Sequence, residues 1–199
     1  MARVLMMKIA PYGGMCKTGK FHADLAMHRI SPPIDLDSES LARQMLCKED
    51  FSGVKKIISS PQLRGIQTAK LISRLFLPGI KIEEESSIDE IKFSLDEIKE
   101  GEYSSTIARK KFMSDFISGK LPEHQGQIRK RVLMGLSFKN ALLVSHTFFI
   151  KVAETYCMEP ALFDSPHLLS RHFNPDRRLY DHLQIVKLRL PHLLKHKSF

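Results

Sequence analysis

Cysteines, long apolar runs and targeting signals are scarce or absent in this sequence of 199 residues. Cys16, Cys47 and Cys157 are odd in number and lack the spacing of a metal site, so we expect reduced thiols rather than a disulfide scaffold. No apolar run approaches the ~20 residues that cross a bilayer, and Lys8 interrupts the first apolar run too early for a secretory signal. These absences predict a cytoplasmic protein with no transmembrane segment, and a chain delivered into the cytosol of another cell would look the same.

Internal repeats, low-complexity segments and metal-binding motifs are also absent from the sequence. Of the nine histidines, His192 and His196 have the i, i+4 spacing of a ligand pair on a helix, but Pro191 stands beside them and no acidic residue supports them. We therefore expect no metal and no cofactor.

The composition, with 43% hydrophobic and 27% charged residues, is that of a folded protein, and the length suits a single domain over residues 1–199. The net charge of +9 is uneven: residues 1–100 hold 15 basic and 14 acidic side chains, and residues 101–199 hold 16 and 8. A basic half favours an anionic partner, although a solvated basic face would have the same composition. The basic residues are scattered and match no standard nucleic-acid-binding motif, so we do not expect nucleic acid to be the partner.

Short apolar runs alternate with helical patterns along the chain. The runs predict strands over residues 4–9, 54–59, 80–84, 140–144 and 183–190. Apolar periodicity predicts helices over residues 37–47, 103–117, 123–136 and 147–157, and one more that begins at Ser60 as N-cap and ends before Pro78. Strands that alternate with helices predict an α/β fold, a three-layer sandwich whose mostly parallel central sheet has helices on both faces.

Two polar residues follow the ends of predicted strands. Arg64 lies in the first turn of the helix after residues 54–59, and His146 follows residues 140–144. Ligands of α/β sheets bind beyond the carboxyl ends of the strands, and helix N-termini favour anions. Each residue alone has an ordinary explanation, an exposed helix arginine or a hydrogen-bonded edge histidine, but a cation and an imidazole at matched junctions suit a phosphoryl group.

Four segments resemble motifs of the histidine phosphatase superfamily, the phosphoglycerate mutase-like proteins. The segment ISSPQLRGIQTA, residues 58–69, resembles the family's SSP-x-x-R-x-x-Q-T-A, and Val144-Ser145-His146-Thr147 resembles its second-histidine motif, which usually ends in S-H-G. Residues 36–43 resemble the L-T-x-x-G-x-x-Q helix start, and Ile88-Asp89-Glu90-Ile91 resembles the L-x-E segment. The order and rough spacing agree over residues 4–158.

The resemblance implies roles for several residues. In the family, a histidine at the end of the first strand attacks the phosphoryl group, two arginines and a second histidine hold the phosphate, and an acidic residue protonates the leaving oxygen. By this resemblance Arg64 and His146 bind phosphate, Lys8 stands in for the other arginine, and His146 and Glu90 have the catalytic positions.

One position departs from the family pattern. Residues 4–10, VLMMKIA, fall where the family reads L-V-L-V-R-H-G, so Ile9 replaces the nucleophile. Isoleucine has no lone pair and cannot accept a phosphoryl group. His22 and His28 do not follow an apolar strand and are poor substitutes. After His146 this chain has Phe148 and Phe149, which either narrow the pocket or pack in the core.

The sequence therefore predicts a degenerate histidine phosphatase that binds a phosphorylated small molecule or a phosphoprotein, with phosphoryl transfer lost or strongly reduced. Two alternatives stay open: an active phosphomonoesterase with a relocated nucleophile, and a basic module that binds nucleic acid or an acidic surface. The sequence does not indicate the ligand or the oligomeric state.

Overall fold

A computed structural model describes residues 3–11, 33–95 and 104–190. His22 and His28, which were considered as substitutes for the nucleophile, and the His192/His196 pair lie outside these residues. The strands are β1 (Arg3–Lys8), β2 (Lys56–Ser59), β3 (Lys81–Glu84), β4 (Ala141–Ser145) and β5 (Ile185–Arg189). The α-helices are α1 (Ser38–Leu46), α2 (Leu63–Phe76), α3 (Ser105–Ser118), α4 (Gln125–Ser137), α5 (Thr147–Met158) and the single turn α6 (Leu169–His172), and two 3₁₀ turns span Ser86–Ile88 and Pro166–Leu168.

The five strands form one sheet in the order β3-β2-β4-β1-β5. The first four strands of this order are parallel, and β5 is antiparallel to β1. All five residues of the central strand β4 are buried, as expected for a parallel strand that is covered on both faces. The mostly parallel α/β architecture predicted from the sequence is confirmed.

Each face of the sheet has its own apolar core. Successive side chains of a strand point to opposite faces, and Val4 and Met6 of β1 accordingly join one core whereas Met7 and Ile9 join the other. The first core contains aromatic residues of α3 and α5, including Phe112, and the second contains the apolar side chains of α1 and α2. The sheet thus lies between two helical layers, which is the predicted three-layer arrangement.

The start of α2 differs from the prediction. The helix begins at Leu63 with Gln62 as its N-cap residue, so the prediction of Ser60 as N-cap is wrong. The Ser60 hydroxyl instead donates to the Asp89 carboxylate at 2.9 Å and accepts from the Gln62 backbone N–H at 3.3 Å. The hydrogen bond to Asp89 therefore takes the place of the predicted N-cap interaction of Ser60 with α2. None of the helices in the described ranges is long and apolar enough to cross a membrane.

Candidate functional site

The residues singled out by the sequence follow three neighbouring strands. In the sheet, β2 and β1 flank β4, and the register pairs Lys8 with Ser145 and Ser59 with Val144. The carboxyl ends of these parallel strands therefore lie at one edge, where Lys8 ends β1, Ser60 follows β2 and His146 follows β4. Ligands of open α/β sheets bind at this edge.

A cavity of about 500 Å³ opens at this edge of the sheet. We call it the cationic cleft, because three of its lining side chains are basic: Lys8, Arg109 and Arg178. The other lining residues are Glu90, Phe93, Ser105, Ala108, Thr147, Phe148, Leu179 and His182. Charged groups thus stand beside an apolar wall, a composition that is typical of a site for a small ligand with one anionic end.

Lys8 is held at the cleft by its position at the end of β1. Its Nζ donates to the Tyr180 carbonyl oxygen at 2.9 Å. Burial, and after it the positive charges of Arg178 and Arg64, lower the pKa of Lys8 from 10.5 to about 8. Positive charges that lower the pKa of a neighbouring lysine in this way favour an anion between them.

Glu90 is a buried carboxyl group at the N-terminus of α5. Its Oε1 accepts from the backbone N–H groups of Phe149 at 2.8 Å and Ile91 at 3.1 Å, and its Oε2 accepts from Phe148 at 3.2 Å. Burial raises the pKa of Glu90 from 4.5 to about 7, although these three hydrogen bonds act in the opposite direction. The group therefore exchanges protons near neutral pH, which suits a general acid or base.

His146 belongs to a polar network next to Glu90. Its Nε2 lies 2.9 Å from the Ser60 Oγ and 3.4 Å from Asp89 Oδ1. Gln62 Nε2 donates to the same Asp89 oxygen at 2.8 Å. Because the Ser60 hydroxyl gives its proton to Asp89, Nε2 of His146 is the donor to Ser60. His146 is thus hydrogen-bonded within the protein through Nε2.

Arg64 lies in the first turn of α2 and is 9% exposed. Its charge lowers the pKa values of Lys8 and His182, so it acts on the cleft electrostatically. Arg64 and His146 are not among the described residues that line the cleft, whereas Lys8 and Glu90 are. The structure thus gathers the four predicted site residues around one sheet edge and places two of them directly on the cavity.

A core side chain stands at position 9, which the sequence resemblance matches to the nucleophile of the family. Ile9 is 2% exposed and packs in the core on the α1–α2 face, among residues that include Ile57 and Val144. Its backbone N–H donates to the Ser145 carbonyl oxygen at 3.0 Å. Ile9 therefore contributes apolar packing, and its side chain has no atom that can attack a phosphoryl group.

Of the two phenylalanines after His146, one packs in the core and the other also lines the cleft. Phe149 is fully buried in the core. Phe148 lines the cleft and also belongs to that core, where its ring stacks on Phe112 with 4.2 Å between centroids and meets Phe93 edge-on at 5.0 Å. Phe148 consequently makes one wall of the cavity aromatic and rigid.

Sequence reasoning missed His182, which the structure places on the cleft. Its Nδ1 lies 3.1 Å from the carbonyl oxygen of Ile9. Burial, and after it the charge of Lys8, lower the pKa of His182 from 6.5 to about 4. No sequence signal marks it, because its place depends on the direction of β5: an antiparallel last strand begins at the edge where the parallel strands end.

The described residues hold no group of three or more His, Cys, Asp or Glu side chains that could bind a metal ion. Lys8, Glu90, Arg178 and His182 line the cleft. Side chains of these types can bind a phosphoryl group and move protons.

Neither a protein-family model nor a curated protein matches the sequence. Solved structures do match the fold. Mycobacterial hydrolase 1 aligns with a TM-score of 0.62 at 11% identity, covering 94% of this chain and 88% of its own. YhfR of Bacillus stearothermophilus aligns with a TM-score of 0.61 at 14% identity, covering 96% and 93%. A mutant phosphoserine phosphatase from Entamoeba histolytica in complex with phosphoserine aligns with a TM-score of 0.55 at 15% identity, covering 96% and 92%.

These alignments span nearly the whole of each chain. They therefore include the sheet and the helical layers described above. The sequence motifs predicted the same relationship from residues 58–69 and 144–147. This chain therefore has the fold of the histidine phosphatase superfamily, the phosphoglycerate mutase-like proteins.

Proposed function

We propose that this chain binds the phosphoryl group of a phosphorylated small molecule in the cationic cleft, and that family-type phosphoryl transfer is strongly reduced. The observation that carries the proposal is the contrast at the end of β1. Lys8 faces the cleft with its charge, whereas Ile9, one residue later, is buried in the core. The strand end thus keeps a phosphate-binding cation and lacks the nucleophile.

The electrostatics of the cleft support binding of an anion. Lys8 and Arg178 repel each other in the cleft, since the charge of Arg178 adds to burial in lowering the pKa of Lys8. A phosphate dianion between them would replace this repulsion by two charge-assisted hydrogen bonds, each contributing about 1.5–3 kcal/mol. We assign Arg64 to the same ligand as a charge behind the cleft, and Glu90 as the group that exchanges a proton with it.

His146 has a supporting part in this proposal. Through Ser60 and Asp89 it is tied to the segment that carries Glu90. A histidine with this position next to a bound phosphate can contribute a hydrogen bond or fix the carboxyl group beside it. We propose that His146 stabilises the phosphate end of the cleft, directly or by holding Asp89 and Glu90 in place.

Structural neighbours support a small phosphorylated ligand. The phosphoserine phosphatase of Entamoeba histolytica is found in complex with phosphoserine and with 3-phosphoglyceric acid. Both ligands are phosphomonoesters small enough for a cavity of about 500 Å³. The apolar wall made by Phe93 and Phe148 favours a ligand whose remainder is less polar than these two.

The loss of family-type transfer follows from the chemistry of Ile9. Removing the nucleophile from catalytic groups that act as a unit can lower the rate by on the order of 10⁶. Binding groups that remain still hold the ligand, because phosphate binding needs charge and donors rather than a nucleophile.

Isothermal titration calorimetry with phosphoserine, 3-phosphoglyceric acid and phenyl phosphate tests the binding proposal. We expect Lys8→Met to weaken binding about 10–100-fold, since one charged hydrogen bond is lost. The matched control is Lys139→Met, which removes the same charge from an exposed position before β4, at the opposite edge of the sheet. Because this charge is distant and screened, its removal should change the affinity less than about twofold. If none of these ligands binds the wild-type protein at millimolar concentration, or if both variants bind alike, the proposal is wrong.

A further inference from the structure

His182 is held at the end of β1 by a turn with unusual backbone geometry. Leu183 has a φ of 62°, in the left-handed region, and is fully buried. Its backbone N–H donates to the Lys8 carbonyl oxygen at 3.0 Å, and the N–H of Lys8 donates to Gln184 at 3.1 Å. A leucine in this conformation costs about 1–2 kcal/mol, and such strain persists where the surroundings fix it, often at functional sites.

The hydrogen bond to Ile9 determines which nitrogen of His182 carries the proton. A carbonyl oxygen can only accept, so Nδ1, at 3.1 Å from the oxygen of Ile9, is the donor. In a neutral ring the other nitrogen, Nε2, then holds the lone pair. The ring is neutral at pH 7, because burial and the charges of Lys8 and Arg178 keep its pKa near 4.

The surroundings of His182 match what a phosphoryl acceptor needs. The same cavity is lined by Lys8 and Arg178, whose charges can neutralise phosphate oxygens, and by Glu90, whose proton exchanges near neutral pH. A neutral imidazole is an effective nucleophile when its second nitrogen is held by a hydrogen-bond acceptor. Ile9, whose side chain cannot act, supplies that acceptor through its backbone.

We propose that Nε2 of His182 accepts the phosphoryl group of a phosphomonoester bound in the cationic cleft, and that the phosphoryl transfer remaining in this protein passes through a phosphohistidine at position 182. This inference rests on the proposed binding of phosphomonoesters in the cleft. It adds the segment just before β5 as the source of the nucleophile.

The reaction balances with groups that the cleft contains. The lone pair of Nε2 forms an N–P bond while the bond between phosphorus and the ester oxygen breaks, and protonated Glu90 gives its proton to the leaving alkoxide. Water then attacks phosphorus and gives a proton to the Glu90 carboxylate. The N–P bond breaks, its electron pair returns to Nε2, and inorganic phosphate and the original neutral ring remain.

Labelling with phosphoramidate and with ³²P-labelled p-nitrophenyl phosphate tests the inference. Trypsin cleaves after Arg178 and Lys187 and releases the peptide LYDHLQIVK, whose one histidine is His182. We expect this peptide to carry phosphate that is stable to alkali and labile to acid. An acid-stable label would instead identify Tyr180.

The intermediate should accumulate in Glu90→Gln, because water then has no base. A p-nitrophenolate leaving group needs no proton, so this variant still forms the phosphohistidine. Label on the 179–187 peptide in the wild type or in Glu90→Gln supports the inference. Absence of label in both proteins, or label on any other histidine, overturns it.

His182→Asn provides the matched variant, since the Asn amide can keep the hydrogen bond to the Ile9 carbonyl and lacks Nε2. We expect no label, and hydrolysis of p-nitrophenyl phosphate at least on the order of 10³-fold slower, as for the loss of a nucleophile. The control His167→Asn, at an exposed position, should retain full labelling. Hydrolysis by His182→Asn at the wild-type rate overturns the inference.

Calorimetry separates this inference from the proposed function. If His182→Asn still binds phenyl phosphate and the wild type forms no phosphohistidine, the binding proposal stands and the nucleophile assignment is wrong. If the wild type binds no phosphomonoester and forms no label, both are wrong.

Discussion

Gly65 gives the most sharply defined prediction for the site, because the first turn of α2 passes very close to the end of β2. A Cβ added at this position would lie 2.8 Å from the Ser60 carbonyl oxygen and 3.2 Å from the Ser59 hydroxyl. The first of these atoms belongs to the backbone and cannot rotate away. Gly65→Ala must therefore push α2 from the strand end that carries Ser60.

The expected loss follows from two opposing effects. Overpacking a well-filled contact costs about 1–3 kcal/mol, and alanine in place of glycine in a helix contributes about 0.5–1 kcal/mol in the other direction. We expect Gly65→Ala to lower the free energy of unfolding by about 1–2 kcal/mol, the difference of these effects. The control is Gly126→Ala, also in the first turn of a helix, where an added Cβ meets nothing within 4 Å.

Urea denaturation followed by circular dichroism measures both variants. Gly126→Ala should raise the free energy of unfolding by about 0.5–1 kcal/mol, because the unfolded chain loses conformational freedom and no contact is strained. We predict that the free energy of unfolding changes in opposite directions in the two variants. If Gly65→Ala stabilises the protein as much as Gly126→Ala does, the close approach of α2 to Ser60 is refuted.

Three further predictions concern the pH response, the core and a loop. Between pH 4.5 and 7 the folded Glu90 keeps a proton that the unfolded chain has lost, so the free energy of unfolding should fall by up to about 3 kcal/mol as the pH rises. Urea denaturation across this pH range should show a shallower fall for Glu90→Gln than for the wild type, and equal falls in the two proteins would contradict the raised pKa. Phe112→Ala should cost about 3–5 kcal/mol in urea denaturation, because the fully buried ring stacks on Phe148, and a loss below about 1 kcal/mol would refute this packing. Asn140 has a φ of 54°, so its replacement by Gly should be nearly neutral whereas Asn140→Ala should cost about 1 kcal/mol; equal melting temperatures would argue against the left-handed conformation.

The sequence predicted the fold well because its strongest signals are local. The apolar runs of β1, β2 and β4 and the helical periodicity between them determine a parallel sheet with two covered faces. The start of α2 was predicted two to three residues early, since Ser60 has a better partner in Asp89 than in its own helix. That partner lies 29 residues away in the chain, so no local pattern reveals it.

The residues that line the cleft were predicted only in part. Lys8 and Glu90 were predicted as site residues from their resemblance to family motifs, and both line the cleft. His182 and Arg178 come from a segment after α6 without periodicity or motif, and their approach depends on β5 being antiparallel. The sequence contains the residues but not the strand direction, and the strained turn at Leu183 that positions the imidazole is visible only in three dimensions.

The most direct test of anion binding in the cationic cleft is a crystal structure of the protein with tungstate, a phosphate analogue whose tungsten atom is located by anomalous scattering. We predict one strong anomalous peak within hydrogen-bond distance of Lys8 Nζ and the Arg178 guanidinium, with Ile9 still buried in the core. A tungstate peak away from these two side chains, or no peak in the cleft at saturating concentration, would contradict the proposed function.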